Sequence, residues 1–180
     1  MPDRDPEVQA LLDREAIRAC LYRYCRGIDR CDLETLKSAY WPEAVDNHTH
    51  YNGNAWEFAE WVIPFLRGRE STMHMITNAM IELDGPTAAR VESQFVGFER
   101  VKSKKGDSEL FAGGRYLDRF EKRGNEWRII HRDVVWAWFR VDDEVTDWSR
   151  GIFGKQVPFG KKCPEDPLYA AFGVKPGARG

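Results

Sequence analysis

Apolar residues in the first part of the chain recur with the spacing of an amphipathic helix. Within residues 8–28 they occupy positions 10, 11, 17, 21, 24 and 28, which form one stripe along a helix of about five turns. Gly27 lies near the predicted end of this helix. The segment DLETLKSAYW predicts a second, short helix that Asp32 caps and Pro42 stops.

The pattern then changes from helical spacing to alternation. AVDNHTHYNG predicts a short strand, and residues 54–67 predict an aromatic helix with Pro64 in its last turn. The turn sequences DGP, KSKKGD and RGN then separate four long β-type segments. These segments are residues 71–83, 87–101, 109–123 and 126–141. We therefore expect four antiparallel strands joined by hairpins.

Helices followed by a strand meander are the order of an α+β fold, in which the helices cover one face of a curved antiparallel sheet. We expect residues 1–140 to form such a cone-shaped α+β domain with a hollow interior. Residues 141–180 are rich in Gly, Pro and Lys and carry aromatic residues, namely Trp148, Phe153, Phe159 and Tyr169. They predict an extended C-terminal tail that packs on the domain or on a neighbouring subunit.

Composition and charge argue against several classes of protein. The 180 residues are 42% hydrophobic and 13% aromatic, which suits one domain with a sizeable core. The formal net charge of -2 is too small to attract nucleic acid or an anionic membrane. No apolar run reaches the roughly 18 residues of a membrane span, and MPDRDPEVQA lacks the regions of a signal peptide. We expect a cytoplasmic protein with neither of these partners.

Metal binding is not expected from the candidate ligands. The four cysteines contain no CxxC pair and predict neither a zinc site nor a disulfide framework. Asp46, His48 and His50 have a two-residue spacing that places them on one face of a strand, where they could bind a metal ion. The stretch is short and lies near an edge, so Asp46 or His48 is instead a candidate for the rim of a pocket.

Three segments carry motifs of a known family. YRYCRGIDRCDLETLKSAYWPEAV, TMHMITN and GGRYLDRFEKRGNEWRIIHRDVV resemble, in order, the first two helices, the histidine strand and the closing hairpin of the SnoaL-like branch of the nuclear transport factor 2-like superfamily. The resemblance covers about residues 8–140 and is strongest to the cofactor-free lyases scytalone dehydratase, hexachlorocyclohexane dehydrochlorinase and bile-acid 7α-dehydratase. It implies no cofactor, a homo-oligomer, with a trimer favoured over a dimer, and an Asp and His dyad inside the cone.

By this resemblance the dyad aspartate falls on Asp29 and the strand histidine on His74. The position five residues before the aspartate is Tyr24, and the arginine on the last strand of the dehydrochlorinases corresponds to Arg132. Two further residues of these lyases, an aspartate on the second long strand and a second histidine, have no match here. The substrate therefore does not transfer from the family.

Together these residues suit proton transfer at carbon. Neutral histidine, with an unperturbed pKa of about 6.5, is a base near neutral pH, and a carboxylate on its other nitrogen fixes the tautomer. We expect His74, oriented by Asp29, to remove a proton next to a carbonyl while a group leaves with help from Tyr24 or Arg132. Because Tyr24 and Asp29 are five residues apart, they can meet only if the helix ends near Gly27.

Each candidate has a structural alternative. Asp29 is also typical of a helix end, His74 of a strand core and Tyr24 of the apolar stripe. If the strand face with Trp127 and Ile129 lines the cavity, His131 replaces Arg132. The predicted lining consists of Trp56, Trp61, Phe65, Phe95, Tyr116, His131 and Trp136. Such a lining suits a flat, hydrophobic, ring-containing molecule.

The sequence therefore predicts a cofactor-independent hydro-lyase, a dehydratase acting on a hydroxysteroid or polyketide. A ketosteroid-isomerase-like isomerase or a polyketide cyclase would use the same base. A non-catalytic ligand-binding or assembly module is the alternative of a different class, since a fold alone does not decide function. An inward Asp and His pair within hydrogen-bond distance would favour the enzyme.

Overall fold

The computed structural model describes residues 5–103, 106–150, 154 and 158–177. Its elements are α1 (Pro6–Asp29), α2 (Leu33–Lys37), β1 (Tyr40–Asn47), β2 (Asn52–Asn54), α3 (Ala55–Arg67), β3 (Ser71–Leu83), β4 (Ala88–Val101), β5 (Ser108–Arg123), β6 (Glu126–Asp142) and α4 (Pro167–Phe172). Phe153 and part of the KSKKGD turn lie outside the described residues. Within them, no helix is long and apolar enough to cross a membrane.

The strands form one curved sheet in the order β2-β1-β6-β5-β4-β3. β3 to β6 are linked by consecutive antiparallel hairpins, as the sequence predicted. β1 pairs with β6 in parallel, so the sheet is not antiparallel throughout. Helices α1 and α3 pack against one face, called the inner face below, and the other is the outer face. The predicted α+β class is confirmed.

Helix α1 ends later than predicted. It runs through Gly27 to Asp29, so the glycine does not end the helix. At Gly27 the helix instead crosses α2 closely, and a Cβ there would lie 2.5 Å from the backbone nitrogen of Leu36. The side chain of Asp29, the last residue of the helix, points into the domain. The side chain of Tyr24 points in a different direction.

Helix α2 ends earlier than predicted. It stops at Lys37, and β1 begins at Tyr40, ahead of Pro42. Pro42 falls within the irregularity in the pairing of β1 with β6, which lies between Tyr40 and Val45. A proline, which has no N–H, is tolerated at such a break because it need not donate a ladder hydrogen bond.

The alternation in β6 is interrupted by β-bulges. One lies between Ile129 and His131, and a second follows Trp136. Ile129 and Arg132 are three residues apart, yet both are fully buried, because the first bulge shifts the strand by one residue. The single alternation predicted for residues 127–136 is therefore wrong. The structure places Arg132 on the inner face and His131 on the outer face.

The core lies between the helices and the inner face. Its fully or almost fully buried members from the two long helices are Ile17, Cys20, Leu21, Tyr24, Ile28, Ala55, Phe58, Ala59 and Leu66. Asp13 joins α1 to the sheet, accepting hydrogen bonds from Trp127 Nε1 at 2.8 Å and Lys122 Nζ at 2.7 Å. Burial alone would raise the pKa of Asp13, but these hydrogen bonds hold it below its ordinary value.

The C-terminal segment returns to the turn between α1 and α2. Lys162 Nζ donates to Thr72 Oγ1 at 2.8 Å and to the carbonyl oxygen of Asp29 at 3.2 Å. Tyr169 donates its hydroxyl hydrogen to Asp32 at 3.0 Å. In this chain the segment thus packs on its own domain, against the residue that ends α1.

Candidate active site

Asp29 and His74 are in contact where the end of α1 meets β3. His74 Nδ1 lies 2.7 Å from Asp29 Oδ1, and the backbone N–H of His74 donates to Oδ2 at 2.8 Å. Asp29 is 7% exposed and the His74 side chain 13%. Both carboxylate oxygens are bound by the same residue, which fixes the carboxylate and the imidazole relative to each other.

This contact determines which ring nitrogen of His74 is available. With Asp29 ionised, Nδ1 carries the hydrogen and Nε2 keeps a free lone pair. No hydrogen bond reaches Nε2 from the residues that the structure describes. Gly97 pairs with His74 across the strands, and a Cβ on it would lie only 3.8 Å from Nε2. The glycine therefore leaves space beside the nitrogen that can accept a proton.

Tyr24 and Arg132 belong to a separate buried cluster. The fully buried Arg132 guanidinium donates twice to Asp118, at 2.7 Å from both Nε and Nη2. Its carbon lies 3.9 Å from the centre of the Tyr116 ring and 4.3 Å from that of Tyr24. The Tyr24 hydroxyl is near Tyr116 but makes no well-formed hydrogen bond. Burial raises the pKa of Tyr24, which keeps it a phenol.

The structure does not bring this cluster into direct contact with the dyad. Within the described residues, neither Tyr24 nor Arg132 makes a hydrogen bond or ion pair with Asp29 or His74. Burial raises the pKa of Asp118, and the neighbouring Arg132 charge opposes that rise. The geometry is that of a buried ion pair capped by tyrosine rings.

A second Asp and His pair lies at the end of β1. His48 Nδ1 is 3.0 Å from Oδ1 of the fully buried Asp46, which also accepts a hydrogen bond from the Tyr40 hydroxyl at 2.5 Å. His50 is exposed and does not join them. Among the described residues, no group of three or more His, Cys, Asp or Glu side chains converges as metal ligands.

A row of aromatic side chains runs from the protein surface to the inner face of the sheet. This aromatic row consists of Phe65, Trp61, Phe58, His48, Trp136, Tyr116 and Phe95, in which neighbouring rings lie 4.3 to 6.4 Å apart. Trp61, Phe65 and Trp136 are about half exposed, whereas Phe95 and Tyr116 are buried. The row therefore begins at the surface and ends at Phe95 on β4, two residues before Gly97, the strand partner of His74.

Two residues predicted to line the interior lie elsewhere. Trp56 packs on α2, where its Nε1 donates to the carbonyl oxygen of Lys37 at 3.1 Å. His131 lies on the outer face, with Nε2 3.0 Å from Asp133. The bulge in β6 turns His131 to the outer face. Trp56 lies in the first turn of α3, on the side that faces α2.

A cleft of about 770 Å³ lies away from the dyad, between the C-terminal segment and the end of β4. Arg100, at its base, is 3% exposed and forms ion pairs with Glu70, Asp107 and Glu109. Trp148 covers its guanidinium at 4.3 Å. These four charges are paired with one another.

Residues 9–133 match the sequence profile of the SnoaL-like domain. The chain belongs to the SnoaL-like family. A curated relative of this SnoaL-like protein, the terrestric acid biosynthesis cluster protein E of Penicillium crustosum, is 28% identical over 156 residues, covering 81% of this chain and 92% of that protein. The resemblance found in the sequence motifs is thus confirmed.

Solved structures show the same fold. A hexachlorocyclohexane dehydrochlorinase from Novosphingobium barchaimii superimposes with a TM-score of 0.69 at 15% identity, over 77% of this chain and 96% of that one. A candidate scytalone dehydratase from Novosphingobium aromaticivorans gives 0.65 at 17% identity, over 78% and 93%. The SnoaL-like protein therefore has the nuclear transport factor 2-like fold, and its structural neighbours include a dehydrochlorinase and a candidate dehydratase.

Proposed function

We propose that this SnoaL-like protein is a cofactor-independent lyase in which His74, oriented by Asp29, removes a proton from carbon. The observation that carries the proposal is the 2.7 Å contact of Nδ1 with Asp29, which leaves Nε2 unbonded among the described residues. The substrate class is a hydrophobic, ring-containing alcohol such as a hydroxysteroid or polyketide. The half-exposed rings of the aromatic row offer such a molecule an apolar route towards the dyad.

A purely structural role would not favour Asp29 at this position. Asp29 is the last residue of α1, and a carboxylate at a helix C-terminus is disfavoured by about 0.3 to 1 kcal/mol because it meets the negative end of the dipole. The carboxylate is also removed from water, which requires compensation by hydrogen bonds. Its two oxygens both bind His74, so the carboxylate fixes the imidazole in one orientation.

The proposed step is a β-elimination. His74 Nε2 takes a proton from the carbon next to a carbonyl, the C–H electrons form the new double bond, and the C–O bond breaks so that oxygen leaves with its electron pair. Asp29 stabilises the imidazolium that forms. A positioned general base typically accelerates such a step by about 10² to 10⁴-fold.

The test is turnover of a panel of hydroxysteroids and polyketide alcohols, followed by mass spectrometry for the loss of water. His74→Ala should lower turnover by about 10² to 10⁴-fold while the protein remains folded. His131→Ala is the matched control, since His131 is a histidine of the same sheet with its own carboxylate partner on the outer face. Activity retained in His74→Ala would refute the mechanism, and a product of unchanged mass would indicate an isomerase.

A further inference from the structure

The second Asp and His pair has the construction of a proton-transferring pair. His48 Nδ1 faces the fully buried Asp46, so a hydrogen on Nδ1 is donated to the carboxylate and Nε2 is the nitrogen that exchanges protons. No hydrogen bond to Nε2 of His48 is found in the part of the chain that the structure describes. The Tyr40 hydroxyl fixes the other carboxylate oxygen at 2.5 Å.

The position of His48 in the aromatic row places it beside the route to His74. Its ring stacks on Phe58 at 4.7 Å and lies 6.4 Å from Tyr116 and 6.3 Å from Trp136. Tyr116 and Trp136 also contact Phe95 on β4. Phe95 stands two residues before Gly97, the strand partner of His74. His48 is thereby linked to the strand partner of His74 through Tyr116, Trp136 and Phe95.

Asp46 lies beside a buried cluster of charged side chains. Asp46 is the strand partner of Arg132 across β1 and β6, and its charge adds to the burial that raises the pKa of Asp118. The buried cluster holds two carboxylates, Asp46 and Asp118, against the single guanidinium of Arg132.

We propose that His48 is the acid of this site and that Asp46 is its positioning residue. This inference rests on the proposed function. His74 Nε2 takes the carbon-bound proton, the double bond forms, and the departing oxygen receives the proton of His48 Nε2, so that water leaves. His74 then releases its proton to solvent and His48 regains one. Tyr24 and Arg132 are both fully buried, and protonation of the leaving oxygen is assigned to His48 and not to either of them.

Substrates with different leaving groups can separate the role of His48 as acid from the role of His74 as base. Hydroxide needs a proton to depart, whereas chloride or acetate on the same carbon skeleton does not. His48→Gln should lower elimination of hydroxide by about 10² to 10⁴-fold. The same variant should leave elimination of chloride or acetate within about 3-fold of wild type. His74→Ala should lower both reactions, and His131→Gln should lower neither.

A pH profile gives a second readout. An acid must be protonated to act, so wild-type dehydration should fall as pH rises through the pKa of that acid. His48→Gln should lose this alkaline limb and keep the acidic limb that belongs to His74. Asp46→Asn should lower dehydration, because His48 loses the carboxylate that orients its ring, while leaving elimination of chloride unchanged.

The outcomes distinguish the two proposals. Equal losses with both leaving groups in His48→Gln would make His48 a packing residue and overturn the acid role alone. Full activity of His48→Gln on hydroxide would do the same. Hydrogen exchange with heavy water at the carbon next to the carbonyl of a ketone analogue requires only the base, so His48→Gln should retain it. Absence of both exchange and elimination in the wild-type protein would overturn the base as well.

Discussion

Replacing Arg132 by methionine should strongly destabilise the protein, because Asp118 would stay buried without its cation. Both side chains are fully buried and joined by two hydrogen bonds of 2.7 Å. Removing one partner of such a pair costs about 3 to 5 kcal/mol. Loss of the contacts with the Tyr116 and Tyr24 rings adds about 0.5 to 2 kcal/mol. Against a typical total of about 5 to 15 kcal/mol, the variant is near the limit of folding.

The loss of stability in Arg132→Met should also depend on pH in a defined direction. Burial already raises the pKa of Asp118 while Arg132 opposes the rise, so Arg132→Met should raise it further. A carboxyl whose folded pKa exceeds its unfolded pKa of about 3.9 loses stability as pH rises between the two values. The free energy of unfolding of Arg132→Met should therefore fall by up to about 1.4 kcal/mol per pH unit above about pH 4.

The assay is urea unfolding followed by tryptophan fluorescence at several pH values. Arg132→Met with Asp118→Leu removes both charges and should recover most of the loss. Arg90→Met, which breaks the exposed pair of Arg90 with Asp84, should cost at most about 1 kcal/mol. A loss below about 1 kcal/mol in Arg132→Met, or one that does not change with pH, would refute the reasoning.

Three further changes test other parts of the structure by the same unfolding measurement. Gly27→Ala should lower the free energy of unfolding by about 1 to 3 kcal/mol, because the new Cβ would lie 2.5 Å from the Leu36 backbone; a stabilised variant would contradict this. Asp13→Asn should be less stable than the wild-type protein at neutral pH, and this difference should shrink as pH falls. A carboxyl with a lowered pKa contributes to the free energy of unfolding above its unfolded pKa and stops contributing as pH falls. Lys162→Met should make the C-terminal segment more sensitive to proteases while the global stability changes by about 1 kcal/mol or less; unchanged cleavage would contradict the anchoring role of Lys162.

Local features of the chain were sufficient for most of the fold. The alternation of residues 71–141 and its turn sequences predicted four consecutive hairpins, and β3 to β6 pair in that order. Neighbouring strands along the chain pair through short turns, so their partners follow from sequence order alone. The parallel pairing of β1 with β6 joins distant segments, and nothing in AVDNHTHYNG specifies that partner.

The bulges of β6 could not be predicted from the sequence. Alternation alone left Arg132 and His131 as alternatives, because a bulge depends on how two strands fit together and not on the sequence of one. The same limit applied to His48. Its spacing from Asp46 made it a rim candidate, but only the packing of β1 against β6 and α3 placed its ring between Phe58 and Trp136.

By itself, the sequence predicted the longer helices, the four hairpin-linked strands, the family motifs and the two side chains able to form a dyad. The tertiary structure decided their geometry. Asp29 and His74 are 45 residues apart, and their 2.7 Å contact exists because the last residue of α1 lies against β3. Periodicity specifies which face of an element is buried, whereas the distance between two side chains depends on packing among several elements at once.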